Sequence, residues 1–166
     1  PSLLKHIVHT YHPEARANGK EILLSVENEG ALFALADEKY FPRAVENLVT
    51  NAIKFAKSRV EVELKPDDER LHILVRDDGP GVPEEEKEHI FKLFHRSPGA
   101  RMVKGIGIGL ASAEKIVRAH GGYLFVEPAN GAGCTFVISI PKDLNGWSEH
   151  TASGEKASHN MAQAAS

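Results

Sequence analysis

Apolar residues recur along this chain with two different periods. Leu3, Leu4, Ile7, Val8 and Tyr11 fall at helical spacing and predict a helix within residues 1–18, PSLLKHIVHTYHPEARAN. EILLSVEN (21–28) and ALFALA (31–36) are strand-like. Asp37 stands where a helix N-cap is expected, ahead of a helix over 38–56 with Val45, Leu48, Ala52, Ile53 and Phe55 on or near its buried side. RVEVELKP (59–66) and RLHILVRD (70–77) alternate around Pro66-Asp67-Asp68 and predict a hairpin. DGPGVP (78–83) reads as a loop, EEEKEHIFKLF (84–94) as a short acidic helix, and 95–109 as a flexible, glycine-containing loop. A helix from Leu110 to His120 should stop at Gly121-Gly122, and YLFVEP (123–128) and CTFVISIP (134–141) read as strands around the turn ANGAG. From Lys142 the apolar content collapses, so 142–166 is expected to be a disordered tail. Mixed strands with helices on one face predict a two-layer α/β (α+β) sandwich.

Composition narrows this picture. At 166 residues, 42% hydrophobic and 26% charged, the chain has the makings of one folded domain with a tail and is not wholly disordered. Its single cysteine, Cys134, excludes an internal disulfide and fits a reducing, cytosolic setting. A net charge of -3 gives no basic footprint for nucleic acid. No apolar run approaches the roughly 20 residues that span a bilayer, and no signal peptide is visible. The chain opens at Pro1, so it is expected to be a fragment of a longer protein. Residues 1–18 are then the end of a helix entering from outside, with the linker that follows it.

Three groups of residues carry candidate chemistry. In ENLVTNAIKFA (46–56), Asn47 and Asn51 are four apart and share a helix face, with Lys54 near it. Amide oxygens suit Mg²⁺ and an ammonium suits phosphate; taken alone, the same residues describe a solvated polar face. In RDDGPGV (76–82), Asp77, Gly79 and Gly81 follow a strand directly. A carboxylate there can accept a hydrogen bond from an adenine amino group, and a buried unpaired polar group can discriminate by up to roughly 10⁴–10⁵; a tight acidic turn is the plain alternative. In KGIGIGLASAEKIVRAHGG (104–122), Gly105, Gly107 and Gly109 precede a helix, a setting that suits polyphosphate. Neither the dinucleotide fingerprint nor a Walker loop is present, and a glycine-rich loop alone is weak evidence.

Together and in this order, the motifs resemble those of the gyrase, heat-shock chaperone, histidine kinase and MutL superfamily, and within it the sensor histidine kinases. NLVTNAIKFA looks like the N box, DDGPG the G1 box, IFKLFHR (90–96) the F box, GIGIGL the G2 box, and GAGCTFVISIP (131–141) the closing strand. The resemblance covers residues 1–141. It implies a mixed sheet of about five strands backed by three helices, with 19–141 as the ATP-binding catalytic domain. By resemblance, Asn51 coordinates Mg²⁺, Asn47 supports the metal or phosphate site, Lys54 reaches a phosphate, and Phe55 lines the adenine side. Asp77 binds the adenine amino group, with Gly79 and Gly81 giving it room. Residues 95–106 become a lid with Arg96, Arg101 and Lys104 as its cations, anchored in the core by Phe91 and Phe94. Gly105, Gly107 and Gly109 hinge it and face the phosphates, with Ile106, Ile108 and Leu110 among the nucleotide-binding residues. Thr135 sits where the family places a small polar residue near adenine, or is a plain strand threonine.

The resemblance also separates kinase from ATPase. The hydrolysing members have a glutamate four residues before the metal-binding Asn, to act as base toward water; here that position is Asn47. Glu46 is turned roughly 100° away on a helix. The domain thus looks built to hold ATP·Mg²⁺ for transfer to an imidazole, with Asn47 and Lys54 as catalytic residues. None of the nine histidines fits the family's acceptor motif, so the acceptor is expected upstream, on a histidine-containing dimerisation domain of the same protein. A response regulator receiver domain would be the onward partner. The parent is expected to be a homodimer, cytoplasmic or anchored with this domain in the cytoplasm, and the fragment a monomer. The alternatives are a nucleotide-sensing or scaffolding module without transfer, and an ATPase of the same superfamily.

Overall fold

The computed structural model describes residues 1–27, 34–94, 107–127 and 133–142. Over these the chain runs α1 (Ser2–Ala17), β1 (Glu21–Val26), α2 (Phe41–Phe55), β2 (Arg59–Pro66), β3 (Arg70–Asp77), one 3-10 turn (Glu84–Glu86), α3 (Gly109–Ala119), β4 (Tyr123–Val126) and β5 (Cys134–Pro141). Glycine ends α1 and α3 in the same way. Gly19 takes φ +68, its N–H meets the Arg16 carbonyl, and the Lys20 N–H meets that of Ala15. Gly121, at φ +67, and Gly122 repeat the pattern on Arg118 and Val117. These paired bonds satisfy carbonyls that a helix end leaves open, and the left-handed backbone they need costs glycine least.

The strands form one five-stranded sheet in the order β1-β2-β3-β5-β4. β1 and β2 run parallel, with α2 as the crossover such a pair needs; the other pairs are antiparallel. All three helices found among the described residues contribute to one core. Ile22, Val60, Val62, Leu64, Leu71, Ile73, Val75, Leu124, Phe136, Ile138 and Ile140 of the sheet meet Leu4, Ile7 and Ala15 of α1, Val45, Leu48 and Ala52 of α2, and Ala113 and Val117 of α3. The alternate strand residues, among them Glu61, Glu63, Lys65, His72 and Arg76, occupy the open face. The architecture is the predicted two-layer sandwich.

Several elements differ from expectation. α1 packs into this core: Leu4 and Ile7 are 2% and 1% exposed. α2 begins at Phe41, not 38, because a helix from 38 would need an amide proton at Pro42 to bond Glu38. Asp37 instead closes the turn before it, its Oδ1 accepting the Lys39 and Tyr40 N–H groups at 2.8 Å each. Residues 84–94 make only the 3-10 turn and further turns, since Ile90 and Phe91 alone pack on the core. Phe94 is no core anchor: it is 68% exposed with φ +62. Residues 34–36 are not a strand, and 31–33, the lid 95–106 and the tail from 143 lie outside the described residues. His120 ties two segments together: its Nε2 accepts the Asp37 N–H at 2.9 Å and its Nδ1 lies 2.7 Å from the Ile116 carbonyl. No helix among the described residues is long and apolar enough to cross a membrane.

Candidate functional site

α2 brings four of the candidate residues into one line. Asn47 and Asn51 are half-buried, Lys54 is exposed, and Phe55 is half-buried at the last position of the helix. Neither asparagine side chain hydrogen-bonds another described residue, so both amide oxygens remain available to a ligand. At the Phe55 end the helix meets the end of β3. Asp77 is 8% exposed, and its Oδ1 accepts the Gly79 N–H at 2.9 Å. Burial pushes its carboxyl up to about 6, with the neighbouring charge of Asp78 adding to the rise; the Gly79 bond and the Lys20 cation oppose it.

Glycine is needed here for space. A Cβ at Gly79 would run into the Phe55 carbonyl oxygen and lie 2.6 Å from Asp77 Oδ1. Gly133 takes φ +112, and a Cβ there would strike the Asp77 carbonyl oxygen. Gly81 takes φ +78 with the Gly133 carbonyl pressed against it. At the other end of the line, the Cβ position of Gly109, first residue of α3, lies 3.5 Å from Asn47 Oδ1. Eight residues of helix separate Asn47 from Phe55, so the two ends are about 12 Å apart. Gly107 takes φ +75, Ile108 is exposed and Leu110 half-buried beside the Asn47 end. Arg96, Arg101, Lys104, Gly105 and Ile106 lie outside the described residues.

Thr135 is not at this site. It pairs with Arg76 in the β3–β5 ladder and shares the open face with it; Cys134, paired with Asp77, points to the helices. Parity along a strand decides this: successive side chains alternate faces, and Cys134 keeps step with Phe136, Ile138 and Ile140. The Cys134 thiol is 8% exposed, and burial, then the Asp77 carboxylate, push it up to about 12.

Residues 36–144 match the family described as histidine kinase-, DNA gyrase B-, and HSP90-like ATPase. The chain belongs to that family. It is 37% identical to the sensor histidine kinase RppB of Synechocystis over 118 residues, which cover 69% of this chain and 26% of RppB. The structure superposes on the catalytic domain of histidine kinase ThkA with TM-score 0.74 at 28% identity, covering 85% of this chain and 92% of that one. Full-length ShkA in complex with AMPPNP gives TM-score 0.74 at 29% identity, covering 85% of this chain and 29% of that one. The chain therefore spans only about a quarter of RppB and under a third of ShkA.

Three features of this HATPase-type domain were not singled out in the sequence. Asp78 binds the chain that leaves α2: its carboxylate accepts the N–H groups of Lys57 (2.8 Å), Ser58 (3.0 Å) and Arg59 (3.1 Å), and the Ser58 hydroxyl at 2.6 Å. Those bonds, the Ser58 hydroxyl first, hold its carboxyl well below the usual carboxylate range. Cys134 was legible from strand parity. Lys20 Nζ donates to the carbonyls of Ile53 and, at 3.3 Å, Lys54; a lysine three residues past a helix end carries no sequence signal for such a reach.

Proposed function

We propose that this chain is the ATP-binding catalytic domain of a sensor histidine kinase, and that it presents the γ-phosphoryl group of ATP to a histidine on a separate dimerisation domain of its parent protein. The parent would then pass the phosphoryl group to a response regulator receiver domain. Support comes above all from the two ends of α2. The buried carboxylate of Asp77 beside Phe55 suits an adenine amino group, and the Asn47–Gly109 contact about 12 Å away suits polyphosphate. AMPPNP in the ShkA structure accords with that ligand.

Asn47 and Asn51 present unengaged, half-buried oxygen donors, which fits Mg²⁺ held with several of its waters. Bound there, Mg²⁺ would neutralise charge on the phosphates. The chain's own residues bind, orient and exclude. Asp77 accepts the adenine amino proton while Phe55 covers the ring, and Lys54 reaches a phosphate oxygen. Asn47 occupies the place of a water-activating glutamate, and an amide takes up no proton, so transfer to an imidazole is favoured over hydrolysis.

Calorimetry with ATP, with and without Mg²⁺, tests the first step. Mg²⁺-dependent binding is expected, followed by labelling of the cognate dimerisation domain from radiolabelled ATP. No binding would defeat the proposal, and rapid phosphate release that Asn47→Ala abolishes would replace transfer with hydrolysis.

A further inference from the structure

Three of the last four carbonyls of α2 receive hydrogen bonds, and two of those bonds come from a residue outside all the motifs. An α-helix leaves its last four carbonyls without intrahelical partners. Ala52 receives the Ala56 N–H at 2.8 Å. Ile53 and Lys54 receive the Lys20 ammonium. The Phe55 carbonyl abuts Gly79, so closely that no Cβ fits between them.

Lys20 is itself held on both sides. Its N–H closes the glycine cap of α1 on Ala15, and the next N–H, that of Glu21, bonds the Ser58 carbonyl at 2.8 Å where β1 joins β2. A half-buried lysine with a fixed backbone thus places one cation on the negative end of the helix dipole. From a distance, the charge of the same cation opposes the rise at the Asp77 carboxylate, whose other charged or titratable neighbours are Asp78 and Cys134.

We propose that Lys20 is a positioning residue for nucleotide binding: it fixes the last turn of α2, which carries Lys54 and Phe55, against the strand end that carries Asp77. Without it, two carbonyls lose their partner and Phe55 is free to shift relative to Gly79 and Asp77. Its charge also helps keep Asp77 in the ionised form that accepts a hydrogen bond. This rests on the nucleotide site argued above.

The test is ATP·Mg²⁺ titration calorimetry of the full chain between pH 5 and 8, on Lys20→Met, Lys20→Gln and Lys20→Arg, below the melting temperature of each. Lys20→Met and Lys20→Gln should weaken binding about tenfold at neutral pH. They should also move the pH at which affinity fails on acidification upward. Lys20→Arg keeps the cation and should recover most of both losses. Lys20→Gln keeps an N–H donor for the carbonyls, and it decides the matter if Lys20→Met does not fold. A folded variant with unchanged affinity and midpoint overturns the assignment. Weaker affinity with an unmoved midpoint does so too, because Lys20 would then be a general prop of the fold. Failure of the unaltered chain to bind would overturn the nucleotide site itself, whereas normal binding with an unmoved midpoint removes Lys20 alone.

Discussion

Arg76 and Asp77 are consecutive residues of β3, and each has a partner directly across on β5, Thr135 and Cys134 respectively. The first pair lies on the open face of the sheet and the second under the helices. On the open face, charge is met by charge. Glu63 lies 3.2 Å from both Arg76 and Lys65, and Arg59 pairs with Glu61 at 2.6 Å, all at least partly in water. The Arg76 contact lacks hydrogen-bond geometry at Glu63 Oε2, so it is an ion pair only. On the covered face, Asp77 has the Gly79 N–H and a distant cation, and burial raises both its carboxyl and the Cys134 thiol. A hydrogen bond from a ligand is worth more where water is excluded and the acceptor is short of partners. The two faces therefore differ in what a ligand can gain, although their residues alternate along the same strands.

The largest effect should come from Asp77→Asn. Affinity for ATP should fall about 100-fold or more, measured by calorimetry. Without nucleotide the same variant should melt at a higher temperature at pH 7.5. Asp77 titrates higher in the folded chain, near 6, than its ordinary 3.8. Its contribution thus favours folding below about pH 4 and is lost as pH rises through about 6. Replacing the carboxyl removes an unfavourable contribution on the order of 3 kcal/mol at pH 7.5. ATP affinity has the opposite sign: it needs the ionised form and should fall as pH drops through about 6.

Next in size is a paired substitution across the sheet. Cys134→Leu forces extra volume into the covered face and should weaken ATP binding about tenfold, while Thr135→Leu on the open face should change it less than about twofold. Equal effects would show that the faces are not distinct in function. The smallest effect belongs to the open-face charges. Glu63→Gln should alter stability by less than about 1 kcal/mol in chemical denaturation and leave ATP affinity untouched.

Much of this was legible in the chain. β2, β3 and β5 fall where their alternation predicts, because period two survives wherever one face is buried. Glycine after α3 marked a real helix end. Failures came where one local signal outweighed another. Asp37 looked like a cap, but Pro42 four residues past the predicted start forbids that register. Residues 1–18 were placed ahead of the catalytic domain, and Leu4, Ile7 and Ala15 of α1 pack into its core. Thr135 was read as a small polar residue near adenine or as a plain strand threonine, and strand parity puts it on the open face and Cys134 under the helices. The contacts of Gly79 with Phe55 and of Gly133 with Asp77 join segments far apart in sequence, which no local pattern can show.

The burial of Cys134 has a practical consequence. It is the chain's one cysteine, and with its thiol at about 12 almost none is thiolate at neutral pH. An alkylating reagent can react quickly only with molecules whose β3–β5 corner has opened. The labelling rate is therefore a stopwatch on that opening, and it should slow in proportion as ATP keeps the corner shut.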